Sequence, residues 1–465
     1  MTERGAAMTP DLWTPDIAGS DQPLYAAIAD AIAADIAAGR LAIGDRLPPQ
    51  RRVAAAMGMD VSTISRGYAE AVRRNLVEAH VGRGTFVRDP AANVARPDPR
   101  RTLEEDPHMN MPPEPTDPAL ISRMQAGLEH VAANIVPLLR YQTPTGSGKD
   151  REVAAQWMQA NGVPCAPERL VVTAGAHAAI QAALSVLRKP GSVVLCEAIT
   201  YPGIRAICAA LNLPLIGLDE DADGICPDAL VRMIEQHADV ILYLNPTLRN
   251  PTTHTVPAHR RRQIADILDQ HGVPLIEDDA YQFVAQDAPP AIATYVPHLT
   301  WHVAGISKVF GAGLRLAYVQ VPEPAILPAF VGSVRATHVM ASPISLALLS
   351  TWMEDGTARH LQTFVRQEAH ARQDIAARVL AGQAFDADPL AYNVWLTLPD
   401  GLTRAVVLSG MVRQPLGIMP SDAFTAAGPP GERLRVCLGG SLTRTTLETS
   451  LGALRDCLSV PAWSG

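Results

Sequence analysis

Lysine is scarce: of 465 residues only Lys149, Lys189 and Lys308 carry a side-chain amine, and arginine supplies the remaining basic charge. Covalent chemistry that needs a side-chain amine is confined to those three positions. Cysteine is nearly as sparse. Cys165, Cys196, Cys208, Cys226, Cys437 and Cys457 are scattered, with no CxxC pair. That argues against a disulfide framework or a zinc site, so no metal is expected, and it fits a reducing cytosol. No apolar run reaches the roughly 18 residues of a membrane span. The first residues, with Asp11, Asp16 and Asp21, lack the basic and apolar regions of a signal peptide. A cytoplasmic protein with no membrane partner is expected.

What is present is ample core material. Hydrophobic residues make up 48% of the chain, and its length calls for two or three folded units. Net charge is −8, which speaks against nucleic-acid binding by the chain as a whole. Its distribution speaks otherwise. Between Arg40 and Arg88 there are nine arginines and only four acidic residues, a basic island in an acidic protein.

That island lies in a compact pattern over residues 20–89. Leu24, Ile28, Ile32 and Ile36 recur at helical spacing from Pro23 to Ala38. A short helix is expected over Gln50–Met57, ending at Gly58, and Asp60 should cap a third over about Val61–Asn75. Strands near Val77–His80 and Thr85–Arg88 flank a Gly82-Arg83-Gly84 turn. In the third helix Ile64, Tyr68 and Val72 should face inward, with Ser62, Arg66, Ala69 and Arg73 outward. This is a helix-turn-helix pattern followed by a wing, suited to a major groove; a helical protein-docking unit is the alternative.

Prolines then dominate residues 90–118, which read as an extended linker. Beyond it, residues 119–465 change rhythm. Apolar runs at Leu170–Thr173, Val193–Cys196, Leu213–Leu218, Val240–Leu244, Val273–Ile276, Trp301–Ile306 and Leu316–Val319 are interleaved with helical patterns such as Ala178–Leu187 and Arg260–His271. The expected fold is α/β: a mostly parallel sheet with flanking helices, followed by a smaller α+β subdomain over about 325–465.

The chemistry-bearing residues of this region cluster at strand ends, where doubly wound sheets open their crevice. Lys308 follows the Trp301–Ile306 run. Asp278, in LIEDDAY, ends another run, with Glu277 and Asp279 as rival carboxylates. Asn250 lies in RNPTT, Tyr281 just past Asp278, and Tyr201 in ITYPG. The TAGAHAAI stretch offers Ala176 and His177 at a helix start, and Arg315 stands seven residues beyond Lys308. An amine, a carboxylate, hydroxyl and amide donors, a flat ring and an anion cradle are what an aldehyde cofactor with a pyridine ring and a phosphate requires.

The N-terminal stretches GDRLPPQRRVAAAMGM and VSTISRGYAEAVRRNLVEAHVGRGTFV resemble the winged helix of GntR-type regulators. The later set resembles fold-type-I aminotransferases over about 120–460. Together with the linker, they resemble the MocR subfamily of GntR regulators. The resemblance implies that Arg51, Thr63, Arg83 and Gly84 contact double-stranded operator DNA; Ser62 and Arg66, on the outward face of the third helix, are expected to face it as well. It implies pyridoxal 5'-phosphate as cofactor, held as an internal aldimine by Lys308. Asp278 would pair with the ring nitrogen, Asn250 and Tyr281 with the 3-oxygen, and Tyr201 with the ring face. Ala176, His177 and Arg315 would take the phosphate, joined by Tyr141 of RYQTPTG from the other subunit of a head-to-tail homodimer. Arg435 in RLRVCL would bind the acidic group of a small amino-compound effector.

Three departures stand out. Asp60-Val61 replaces the Ser/Thr-Arg usual in the winged helix. Gly305 replaces a serine three before the lysine, leaving Ser307 as the nearby hydroxyl candidate. Thr253 replaces the glycine usual after NPT. The function expected is a ligand-responsive transcriptional regulator sensing an amino compound or the cofactor itself. The alternative is an active aminotransferase with an appended DNA-binding domain.

Overall fold

The computed structural model describes residues 13–17, 23–74, 76–80, 84–88 and 106–459. The described residues fall into two compact units, those up to residue 88 with 117–122, and 106–116 with 123–459.

In the first unit three helices, Leu24–Ala37, Gln50–Met57 and Val61–Arg73, precede a hairpin of Val77–His80 and Gly84–Val87. Gly58 ends the second helix in the left-handed conformation (φ 64°), which glycine adopts without the clash a Cβ brings. Asp60 caps the third helix by accepting from the Ser62 N–H at 2.7 Å. Ile28, Ile32, Val53, Ile64, Tyr68 and Ala71 form the core. The inward face of the third helix departs from expectation in one place: Val72 is exposed and Ala71 is buried. The face is centred on Gly67, which lies so close to Ile28 that a Cβ there would approach its Cγ2 to 2.6 Å. That close approach turns Val72 outward. The turn expected at Gly82-Arg83 lies outside the described residues.

The second unit is built on a seven-stranded sheet. Its order is Leu170–Thr173, Ala317–Gln320, Thr300–Gly305, Leu275–Asp278, Val240–Leu244, Val193–Glu197 and Leu215–Leu218. Every pairing is parallel except the two made by Ala317–Gln320. Each strand except the edge strand Leu215–Leu218 is wholly buried, as expected of strands covered on both faces. One face packs against the Ala176–Leu187 side and the other against the Ala258–His271 side. A smaller four-stranded antiparallel sheet, ordered Phe385–Asp386, Asn393–Thr397, Arg433–Cys437 and Ile418–Pro420, packs on helix Arg444–Leu458. Asp106–Thr116, within the proline-rich stretch, belongs to this second unit. Pro113 bridges to Gly440.

Candidate functional site

The parallel strands all end on the same side, and their carboxyl ends deliver the candidate residues. Asp278 is the last residue of its strand, and its carboxylate is buried. Tyr243, from the neighbouring strand, donates its hydroxyl to Asp278 Oδ2 at 2.7 Å. The other oxygen, Oδ1, is buried with no partner. Burial pushes the Asp278 carboxyl up to about 6, against the pull of the Tyr243 hydroxyl. Of the rival carboxylates, Glu277 has both oxygens engaged, while Asp279 keeps a buried Oδ1 without a partner. Glu277 accepts the Ile292 and Ala293 N–H groups at 2.7 and 2.8 Å. Asp279 lies 3.5 Å from His302 Nε2.

Lys308 lies in the four-residue helix Ser307–Phe310, just past the Thr300–Gly305 strand. Desolvation, reinforced by the Arg435 charge, lowers its amine to about 8. The other two lysines are exposed in surface ion pairs, Lys149 with Glu354 and Lys189 with Asp239.

Gly175 (φ 97°) precedes helix Ala176–Leu187, so the first N–H groups of that helix, including those of Ala176 and His177, are free of helical partners. The Arg315 guanidinium lies against Gly175: a Cβ there would meet its Nη2 at 3.1 Å. Helix start and cation together form an anion cradle that only glycine leaves open. Burial and Arg315 both hold His177 below the usual imidazole value. Tyr201 folds back over Gly203, where a Cβ would fall 2.1 Å from the ring.

Arg435 is buried on the Arg433–Cys437 strand, 5.1 Å above the Phe424 ring. Its Nη1 donates to Asn250 Oδ1 at 2.9 Å, which leaves the Asn250 amide N–H groups for another acceptor. Tyr281 Oη accepts from Asn110 Nδ2 at 2.9 Å, so its own proton is free to be donated. Gly305 leaves room where the serine hydroxyl was expected: a Cβ would stand 3.5 Å from Ala176 and Ala280. Thr253 occupies its glycine position at φ 63°, an uncommon conformation for a β-branched residue.

A free buried carboxylate oxygen, a desolvated amine, an open anion cradle and aromatic Tyr201 fit a pyridine aldehyde bearing a phosphate. Tyr243, Asn110, Tyr392, Asn393 and Phe424 escape sequence reading. Tyr243 is one apolar-looking residue in a buried strand, and the others come from distant segments without a motif. Tyr141 is 87% exposed and stands apart from this set. In the first unit, Arg51, Ser62 and Arg66 are exposed and Thr63 is half-buried. Gly84 (φ 116°) is packed against Arg46. Arg83 lies outside the described residues.

Such a site on such a sheet defines an aminotransferase-type domain joined to a DNA-reading module. The chain belongs to the family "Aminotransferase class I and II", matched over residues 110–454, and residues 24–87 match "Bacterial regulatory proteins, gntR family". That pairing is the MocR architecture of GntR regulators. The HTH-type transcriptional regulator YdeF of Bacillus subtilis (strain 168) is 28% identical, covering 97% of each chain. The vitamin B6 salvage pathway transcriptional repressor PtsJ of Salmonella typhimurium is 27% identical over 93% of this chain and 98% of its own. Among solved structures, the α-aminoadipate aminotransferase LysN of Thermus thermophilus superposes with TM-score 0.66 at 21% identity, covering 75% of this chain and 90% of its own. Among the described residues no helix is long and apolar enough to cross a membrane.

Proposed function

We propose that the chain is a transcriptional regulator that binds operator DNA through its winged helix and carries pyridoxal 5'-phosphate on Lys308 to sense an amino compound bearing an acidic group. The observation that carries this reading is the unpartnered, buried Asp278 Oδ1 in the same crevice as the desolvated amine of Lys308.

When bound, the cofactor supplies an aldehyde and an electron-withdrawing ring. The residues of this chain do the rest. Lys308 would be the residue that holds the cofactor through its aldehyde carbon. Asp278 keeps a proton on the ring nitrogen, and Tyr243 orients Asp278. Tyr281 and Asn250 donate to the 3-oxygen, Tyr201 covers the ring face, and Ala176, His177, Ser307 and Arg315 hold the phosphate. Arg435 would take the acidic end of the effector and so point its amine toward the position that Lys308 holds. The two states of the site then differ in their contacts, and DNA affinity shifts only as far as the effector's affinities for those states differ.

A head-to-tail homodimer fits the same reading. Leu128, Ile135, Val136, Leu139 and Tyr141 are exposed on neighbouring turns, a concentration of apolar surface that a second copy would cover, with Tyr141 reaching the partner's phosphate. Residues 20–89 are then the DNA reader, tethered through the proline-rich stretch, and the protein acts in the cytoplasm.

The test is a visible spectrum of the full chain titrated with pyridoxal phosphate, followed by borohydride reduction and peptide mapping. A coloured adduct trapped at Lys308 and lost in Lys308→Ala is expected; a colourless protein with no trapped adduct overturns the reading. A relative named 2-aminoadipate transaminase, 24% identical over 64% of this chain, favours transamination as a second reading. Rapid multiple turnover with a keto acid would establish it.

A further inference from the structure

Two of the three cations of the site, Lys308 and Arg435, already have an occupant, and it is the chain itself. Lys308 Nζ donates to the backbone carbonyl of Asn110 at 2.5 Å. Arg435 Nη2 donates to the backbone carbonyl of His108. The intervening side chains lock this segment in place. Asn110 Nδ2 reaches Tyr281 Oη and Asn393 Oδ1, both at 2.9 Å, and His108 Nδ1 is 3.0 Å from the Ile418 carbonyl. Two glycines make room for the backbone. A Cβ on Gly417 would stand 1.6 Å from the Pro107 oxygen, and one on Gly439 would stand 1.8 Å from that of Met111. Further on, Gly440 N donates to the Pro112 carbonyl at 3.2 Å, fixing the downstream end. The upstream end is different: Asp106, Pro107, His108 and Met109 are exposed, and in sequence residues 89–105 join them to the winged helix.

We propose that the strap Asp106–Met111 is a built-in competitor of the effector. The His108 carbonyl occupies the acid anchor, Arg435, and the Asn110 carbonyl occupies the amine that the cofactor takes; the acidic end of the effector must replace the first, and the displaced strap transmits occupancy to the tether of the DNA-binding unit. The inference rests on the reading of Lys308 and Arg435 given above. The exchange favours the effector because a carboxylate meets the planar guanidinium with opposite charge and two parallel bonds, where the His108 carbonyl is neutral and accepts one. Linkage makes the device reciprocal: whatever holds the strap down weakens effector binding, and DNA that prefers one strap position alters effector affinity by the same factor.

The experiment uses the full chain and two probes. N-(5'-phosphopyridoxyl)glycine presents a carboxylate to Arg435, and pyridoxamine phosphate is the same molecule without it. Amide exchange at residues 106–112 is expected to be at least tenfold faster with the glycine conjugate than with pyridoxamine phosphate. Equal exchange with both bound overturns the strap proposal and leaves the cofactor reading intact. Failure of both to bind overturns the cofactor reading, and the strap proposal with it. Gly417→Ala supplies an independent check, since its methyl cannot coexist with the Pro107 carbonyl. The variant is expected to exchange rapidly at the strap before any probe is added and to bind the glycine conjugate at least fivefold more tightly. Its operator affinity should match that of the loaded parent protein. Unchanged affinity for the conjugate despite a mobile strap overturns the proposal. Should the variant not fold, the exchange comparison in the parent chain decides alone.

Discussion

Asp278 shows how a residue's chemistry is set by what surrounds it. Its folded-state value of about 6 lies above the usual carboxylate range because burial disfavours the charge. A carboxyl raised on folding takes up protons on folding. Its contribution is therefore fully present at low pH and is lost as pH rises from about 4 to about 6. In cofactor-free protein, the stability difference between the parent and Asp278→Asn should fall by up to about 3 kcal/mol across that window, read by urea unfolding. A flat difference would show that the carboxyl is not desolvated. Gly305 offers a gain rather than a loss. The site has room for a Cβ, so Gly305→Ser should restore a phosphate hydroxyl and tighten cofactor binding about tenfold in an equilibrium titration. At this scale the sequence was partly legible. Asp278 and Lys308 announce themselves by their place at strand ends and Asn250 by its RNPTT stretch, but nothing local distinguished Asp278 from Glu277 and Asp279. Side-chain alternation along the strand decided that, turning Glu277 toward the Ile292 and Ala293 amides.

Among the elements, the third helix of the winged unit was legible to within two residues, because Asp60 and the Ile64/Tyr68 spacing mark it unambiguously. Val72 was misplaced since a spacing of four and one of three are both helical, and only the contact of Gly67 with Ile28 selects Ala71. Arg66 projects from the outer face of this helix and is exposed. Arg66→Ala should weaken binding to all duplexes nearly uniformly and reduce the slope of log affinity against log salt by about 1, as expected for one lost phosphate contact. A selective loss at one operator base pair would instead make it a base reader. The strap was illegible for a different reason. Pro107 and the prolines that flank it suppress regular structure, as they would in a linker, and its hydrogen bonds run to residues more than a hundred positions away. No local pattern records such pairings.

For the molecule as a whole, the order of modules was evident from the change of rhythm and from the two motif sets, and the sheet's parallel character from its unbroken apolar runs. The single antiparallel strand, Ala317–Gln320, was not, because direction leaves no mark on a buried run. The assembly is open to a direct test. Val136→Glu with Leu139→Glu places two charges on the exposed apolar turns and should shift the protein from dimer to monomer in sedimentation. Cofactor affinity should fall with it, since Tyr141 would no longer reach across; retention of a dimer by the double variant would move the interface elsewhere.

The uneven distribution of amines carries a practical consequence. Lys149 and Lys189 stand exposed in surface ion pairs, whereas burial lowers the Lys308 amine to about 8. At pH 7.5 the free-base fraction at Lys308 exceeds that of an ordinary surface lysine by about two orders of magnitude. A brief pulse of a small acylating reagent should therefore mark position 308 first, provided the strap is open. The extent of marking, read by mass spectrometry, would then report site occupancy without any introduced label.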